Sequence, residues 1–138
     1  MIRYEMGNDL DPDVFIELYH ASTLGRRRPV EDRDRMTAML RNANLVVTAW
    51  EGEQLVGLAR SLTDFTYATY VADLAVRESH QRMGIGVELL RRTQAAGAPA
   101  MLVLLAAPAA VDYYPGIGFE RHGSAWTLPA HRKPGKQG

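Results

Sequence analysis

Apolar and polar residues alternate over residues 2–6, which predicts a short strand with one buried face. Residues 12–22 change to helical spacing, with Val14, Leu18 and Ala21 along one side and Phe15 beside them. Asp11 can cap that helix, Pro12 suits its first position, and Asp13 places a negative charge in its first turn. Residues 24–29 contain Gly25, three consecutive arginines and Pro29, so they read as a loop with Arg26, Arg27 and Arg28 solvated. A second helix is expected over residues 31–42, where Met36, Met39, Leu40 and Ala43 make an apolar stripe and Glu31, Asp32 and Asp34 sit near the start.

Residues 45–50 and 55–62 carry strand signals and are joined by Glu51-Gly52-Glu53-Gln54, a β-hairpin pattern. A third consecutive strand follows over residues 69–76 after a loop around residues 64–66. A helix is predicted from about Gly84 to Ala96, with Ile85, Leu89, Leu90, Thr93 and Ala96 inward and Gly97 as its stop. The run 101–106 is apolar throughout, as expected of a central strand covered on both faces and lying parallel to the strand that ends at Val76. Residues 108–114 suit a short helix, Pro115-Gly116 breaks it, and residues 119–122 with 125–128 predict a closing strand pair. Residues 131–138 read as a frayed polar tail after one domain spanning 1–130. The predicted order β, α, α, β, β, β, α, β, α, β, β is an α+β layout with a mixed sheet.

The 138 residues are enough to enclose a core, and 16 basic against 16 acidic residues give no general attraction to nucleic acid or to an anionic membrane. Cysteine is absent, which removes disulfides, thiolate nucleophiles and cysteine-based metal sites. The N-terminal residues do not resemble a secretory signal, and the longest apolar run, interrupted by Pro108, is too short to span a bilayer. A cytoplasmic protein is the simplest expectation.

Residues 73–94 concentrate the candidate chemistry. An apolar strand enters a short polar turn, then Gly84 and Gly86, then an amphipathic helix. The start of such a helix presents unpartnered backbone N–H groups and the positive end of the dipole, and glycine lets a bulky anion approach them. A tight turn with no ligand is the plain alternative.

The run Leu74-Ala75-Val76, then Gln81-Arg82-Met83-Gly84-Ile85-Gly86, then Tyr114-Pro115-Gly116-Ile117-Gly118-Phe119 resembles the GCN5-related N-acetyltransferases, the GNAT family. Gln81, Gly84 and Gly86 match the family signature of Gln or Arg, two variable residues, Gly, one variable residue, then Gly or Ala. The motifs cover residues 69–119, and the order of elements fits nearly the whole chain. The resemblance implies a GNAT-like, mainly antiparallel twisted sheet flanked by helices, with a β-α-β core that binds acetyl-CoA. It further implies that acetyl passes to a primary amine of a small molecule or peptide by direct attack in a ternary complex.

On this resemblance, amides from Arg82, Met83, Gly84, Ile85 and Gly86 cradle the pyrophosphate, and backbone groups of Leu74, Ala75 and Val76 pair with the pantetheine amides. Tyr114 occupies the position of the acid that protonates the departing thiolate, with packing as its other reading; Tyr113 is expected to pack or line the groove. Asp73 is the first candidate for a general base, against a structural or solvent-facing carboxylate, and Asp64 lies in the same region. Some members have no dedicated base. Tyr19, Trp50, Asp64 and Tyr67 are candidates to shape the acceptor pocket, and a homodimer is in keeping with family habit.

Other constellations fail. The glycine run lacks the third glycine of a dinucleotide fingerprint and has Ala106 where an acid is needed. There is no P-loop or nucleophile elbow, and His20, His80, His122 and His131 have no metal-ligand spacing. The rival from another class is a catalytically weak CoA-binding sensor or scaffold, against which the tyrosine at position 114 argues.

Overall fold

The computed structural model describes residues 1–136. The chain divides into two compact units, Met1–Leu105 and the segment from residue 106 onward. Five strands of the first unit form one sheet in chain order: β1 (Arg3–Met6), β2 (Leu45–Glu51), β3 (Gln54–Thr63), β4 (Ala68–Val76) and β5 (Met101–Leu104). Neighbours from β1 to β4 pair antiparallel, and β5 lies parallel to β4. The three α-helices are α1 (Pro12–His20), α2 (Arg33–Asn42) and α3 (Ile85–Ala96).

The helix starts follow the local chemistry. Asp11 accepts a hydrogen bond from the Asp13 amide at 2.8 Å with Pro12 at the first helical position, and Asp32 accepts from the Arg35 amide at 3.0 Å. Alternation along the strands then sorts side chains to two faces. Phe15, Leu18 and Tyr19 of α1 and Met36 and Leu40 of α2 pack with Val46, Leu55, Leu58 and Ala75. On the other face Ile85 and Leu89 of α3 pack with Val47, Ala49, Val56 and Ala59. Each large apolar side chain so buried contributes roughly 1.5–3 kcal/mol. A Cβ on Gly57 would meet Ile85 and Leu89 side-chain atoms at 3.0 Å each, so glycine there lets α3 lie close against β3.

The structure departs from expectation in four places. The apolar run at residues 101–106 does not form a covered central strand: β5 spans only Met101–Leu104 at the edge of the sheet, and Met101 and Val103 are exposed. Its apolarity reflects one half-covered face, and among the described residues no further strand pairs beyond it. Second, no closing strand pair forms over 119–122 and 125–128; these residues lack a ladder partner, and Trp126 is 92% exposed. Third, residues 108–114 form a 3-10 turn, Pro108–Ala110, followed by turns rather than a helix. Fourth, Arg28 is not solvated; it is drawn to β4 by a buried carboxylate. The second unit holds a further 3-10 turn, Pro115–Ile117, and the last two residues of the expected tail lie outside the described residues.

Candidate active site

The opening of the site is built into β4. Its parallel pairing with β5 joins Ala68, Thr69, Tyr70 and Val71 to Met101, Leu102, Val103 and Leu104, and then stops. β4 continues to Val76 with β3 on one side and no strand of this unit on the other. The register supplies the reason for the change. Arg60 faces Asp73 and Ser61 faces Val71, which leaves Ala72 opposite no residue, a bulge that bends the strand where pairing ends.

Beyond the bulge, the Arg77 amide donates to the Val56 carbonyl at 2.8 Å. By the alternation of an antiparallel ladder, Ala75 then directs its backbone to β3, while Leu74 and Val76 direct theirs to the open side. The Gln81 side-chain amide donates to the Val76 carbonyl at 3.2 Å and ties the following turn to this edge. Arg77 holds the end of β4 against α1 through a bidentate pair with Glu17 at 2.8 and 2.6 Å.

The turn after β4 delivers the chain to α3 through two left-handed residues, Arg82 at φ 66° and Gly84 at φ 81°. Gly84 is the residue preceding the helix and supplies no side-chain cap. The first intrahelical bond runs from the Glu88 amide to the Gly84 carbonyl at 3.1 Å, so the amides of Ile85, Gly86 and Val87 have no helical acceptor. A Cβ on Gly84 would meet nothing within 4 Å, and the space at the helix start is open. Glu88, the acid in the first turn, is paired with Arg92 at 2.9 Å, which lowers its pKa. Gln81, Arg82, Met83 and Gly84 are all exposed. These backbone donors and the positive dipole end suit a phosphate-bearing ligand.

Asp73 lies just past the bulge, on the face of the sheet that carries α1. Its side chain is fully buried and takes three charge-assisted or hydroxyl bonds: Arg28 Nε to Oδ1 at 2.6 Å, Arg60 Nε to Oδ2 at 2.6 Å and the Tyr19 hydroxyl to Oδ2 at 2.5 Å. Burial alone would raise its pKa; the Arg60 charge and hydrogen bond, the Tyr19 hydroxyl and the Arg28 charge outweigh that and lower it. Tyr19 moves the other way, pushed well above the ordinary range by its burial and by the Asp73 charge. A carboxylate with both oxygens engaged by donors, and harder to protonate than a free one, is a poor proton acceptor. Arg28 also donates to the Ala72 carbonyl at 3.0 Å and to the Arg27 carbonyl at 2.8 Å, so it grips the bulge itself.

The remaining candidates separate from this cluster. Asp64 organises its own loop, accepting from the amides of Thr66, Tyr67 and Ala68 at 2.9, 2.7 and 3.2 Å, and those bonds lower its pKa. Tyr67 is exposed, and the Trp50 indole donates to Thr48 Oγ1 at 2.8 Å. Tyr114 belongs to the second unit, where its ring packs edge-on against Tyr113 and Phe119 with centroids 5.2 and 5.4 Å away. Burial and the neighbouring Tyr113 raise its phenol pKa, which keeps it protonated at neutral pH. Among the described residues, no group of His, Asp or Glu is placed to hold a metal ion, and no helix is long and apolar enough to cross a membrane.

Sequence reasoning missed Arg28 and Arg60 as partners of Asp73. An alternating pattern marks Arg60 as an interruption in an otherwise apolar strand, and that was the available signal.

A strand edge opened by a bulge, leading straight into an uncapped helix start, offers an extended, phosphate-bearing ligand a row of backbone donors. A family model described as an acetyltransferase (GNAT) domain matches residues 26–127, and the chain belongs to that family. It is an acetyl-CoA-dependent acetyltransferase. A GNAT-family acetyltransferase from Streptococcus pneumoniae TIGR4 is 25% identical, with a TM-score of 0.74 over 93% of this chain and 98% of its own. An aminoglycoside N-acetyltransferase in complex with CoA is 13% identical, with a TM-score of 0.74 and 96% of each chain covered. An acetyltransferase from Trypanosoma brucei is 17% identical, with a TM-score of 0.67 over 94% of this chain and 99% of that one. At those identities, the last two likenesses speak for the fold.

Proposed function

We propose that this protein is a cytoplasmic N-acetyltransferase that moves acetyl from acetyl-CoA to a primary amine by direct attack in a ternary complex. The observation that carries the reading is the continuous path from the unpaired β4 edge to the uncapped start of α3. The outward backbone groups of Leu74 pair with the pantetheine amides as an added strand would, and the Val76 amide does the same beside the Gln81 contact. Amides of Ile85 and Gly86, with those of the Arg82-Met83-Gly84 turn, receive the pyrophosphate, and Gly84 gives the turn its left-handed backbone without a side chain. Ala75 supports this edge from the β3 side.

A backbone N–H on the open edge polarises the thioester carbonyl as the amine attacks, because negative charge builds on that oxygen. The carbon–sulfur bond breaks as the new amide bond forms, Tyr114 supplies the proton to the departing thiolate, and the proton that the attacking nitrogen then sheds to solvent balances the one solvent returns to the Tyr114 phenolate. Its place in the Tyr-x-x-x-Gly-Phe run and its protonated phenol support that role. Asp73 holds Arg28 and Arg60 instead of taking the proton of the substrate ammonium, which passes to solvent. With no cysteine in the chain, an acetyl-thioester on the protein is excluded.

The test is initial-velocity kinetics with a panel of amines, reading free thiol. Intersecting double-reciprocal lines are expected. CoA binding with no thiol release on any acceptor would oppose the amine-transfer reading.

A further inference from the structure

We infer that the acceptor is an amine that also carries a small oxyanion, a carboxylate or a phosphate ester, and that Arg28 recognises it. The inference rests on the transferase reading above and adds the acceptor's chemical class. Its first ground is charge. Arg28 and Arg60 share the single carboxylate of Asp73, and Tyr19 is neutral, so two positive charges against one negative leave the cluster with one unmatched positive charge. Of the acids on neighbouring elements, Glu17 is paired with Arg77 and Asp13 with Arg33, while Asp32 accepts the Arg35 amide at the exposed start of α2, away from the cluster's hydrogen bonds. Glu31 is exposed and makes no ion pair among the described residues. Arg26 and Arg27 are also exposed and form no ion pair among the described residues, and their charges are offset by those of Glu31 and Asp32, so the unmatched charge is that of the buried cluster itself.

The second ground is placement. Arg28 is fixed in position by the Ala72 carbonyl, at the residue where β4 parts from β5. Of its five N–H donors three are engaged, by Asp73, Arg27 and Ala72, and its side chain is 22% exposed. The free donors therefore belong to a guanidinium already oriented and partly desolvated, the condition under which an oxyanion is bound at little ordering cost. Leu74, on the open edge proposed to receive the thioester arm, is two residues further along the strand, about 7 Å away. An amine separated from its anionic group by a few bonds spans that distance. A polycationic amine would meet the unmatched positive charge instead.

The experiment compares wild-type protein with Arg28→Gln and Arg28→Lys. Acceptors are glycine, β-alanine, γ-aminobutyrate and phosphoethanolamine, length-matched uncharged alkylamines, and spermidine. Wild type is expected to show a higher kcat/KM for the anionic amines, with the carboxylate and phosphate arms telling the two oxyanions apart. Arg28→Gln should reduce the ratio of anionic to uncharged kcat/KM about tenfold, mainly through KM, and Arg28→Lys should restore part of it. A ratio unmoved by Arg28→Gln, or a wild-type preference for uncharged or cationic amines, overturns the inference. Thermal unfolding in the presence of CoA gives a readout independent of turnover. The same anionic amines should raise the wild-type midpoint and not that of Arg28→Gln. Absence of that shift also overturns the inference, whereas absence of turnover with the shift intact counts against the transferase reading alone.

Discussion

Replacing Asp73 by asparagine separates an organising carboxylate from a catalytic base. The substitution keeps the shape and removes the charge. Asparagine offers one acceptor oxygen where Asp73 offers two, and its NH2 group would face a donor, either the Arg28 Nε or the pair formed by Arg60 Nε and the Tyr19 hydroxyl. Two guanidiniums with side chains 22% and 11% exposed would then be left without their shared counter-ion. Breaking a buried ion pair from one side costs about 3–5 kcal/mol. With a urea slope of about 1–3 kcal/mol/M for a domain of this size, the unfolding midpoint should fall by on the order of 2 M. The pH dependence carries a second signature. The folded-state pKa of Asp73 lies below its unfolded value, so its stabilisation is complete above about pH 4 and is lost as pH falls through the depressed folded value. The asparagine variant should lose that part of the acid slope. A midpoint within about 0.3 M of wild type, accompanied by loss of turnover, would refute the organising role and return Asp73 to the general-base reading.

Gly84→Glu should abolish CoA binding in calorimetry while the protein remains folded. The left-handed backbone there costs a non-glycine residue about 1–2 kcal/mol, the side chain itself has room, and the carboxylate would sit at the free amides of the α3 start. Unaltered CoA affinity would remove the proposed pyrophosphate site. Tyr114→Phe should lower kcat by about 100-fold or more with CoA affinity little changed, and the loss should be greatest with thiols that leave poorly. Unchanged turnover across pH would reduce Tyr114 to its packing against Tyr113 and Phe119.

The parts of the molecule legible in the sequence are those set by short-range rules. Asp11-Pro12, the Gly52 turn and the left-handed Gly84 each fix a boundary within a few residues, and the elements around them form where expected. The parts that were not legible depend on partners distant in sequence. Arg28 stands 45 residues from Asp73, in a run of arginines whose default state is solvation, and only the fold brings it to a buried carboxylate. The apolarity of Met101–Leu104 could not distinguish a strand covered on both faces from one at an edge, since that depends on what lies beside it. The change of register at Ala72 left no mark either, because alanine fits a regular strand as readily as a bulge.

That unopposed alanine divides β4 into two segments under different structural constraints. Upstream, residues 68–71 are held between two strands, so substitutions there act on the sheet. Downstream, residues 72–76 have a free side, so substitutions there act on whatever the free side receives. Because Ala72 is the extra residue, removing it would join the two segments in one regular register, Val71 opposite Ser61 and Asp73 opposite Arg60, and would leave Asp73 on the α1 face and Leu74 on the other. One deletion would thereby keep Asp73 opposite Arg60 while removing the bend in the strand and the carbonyl that Arg28 grips. Chimaeras that exchange β4 with a relative should accordingly place their junction at this residue, where the two segments can be inherited separately.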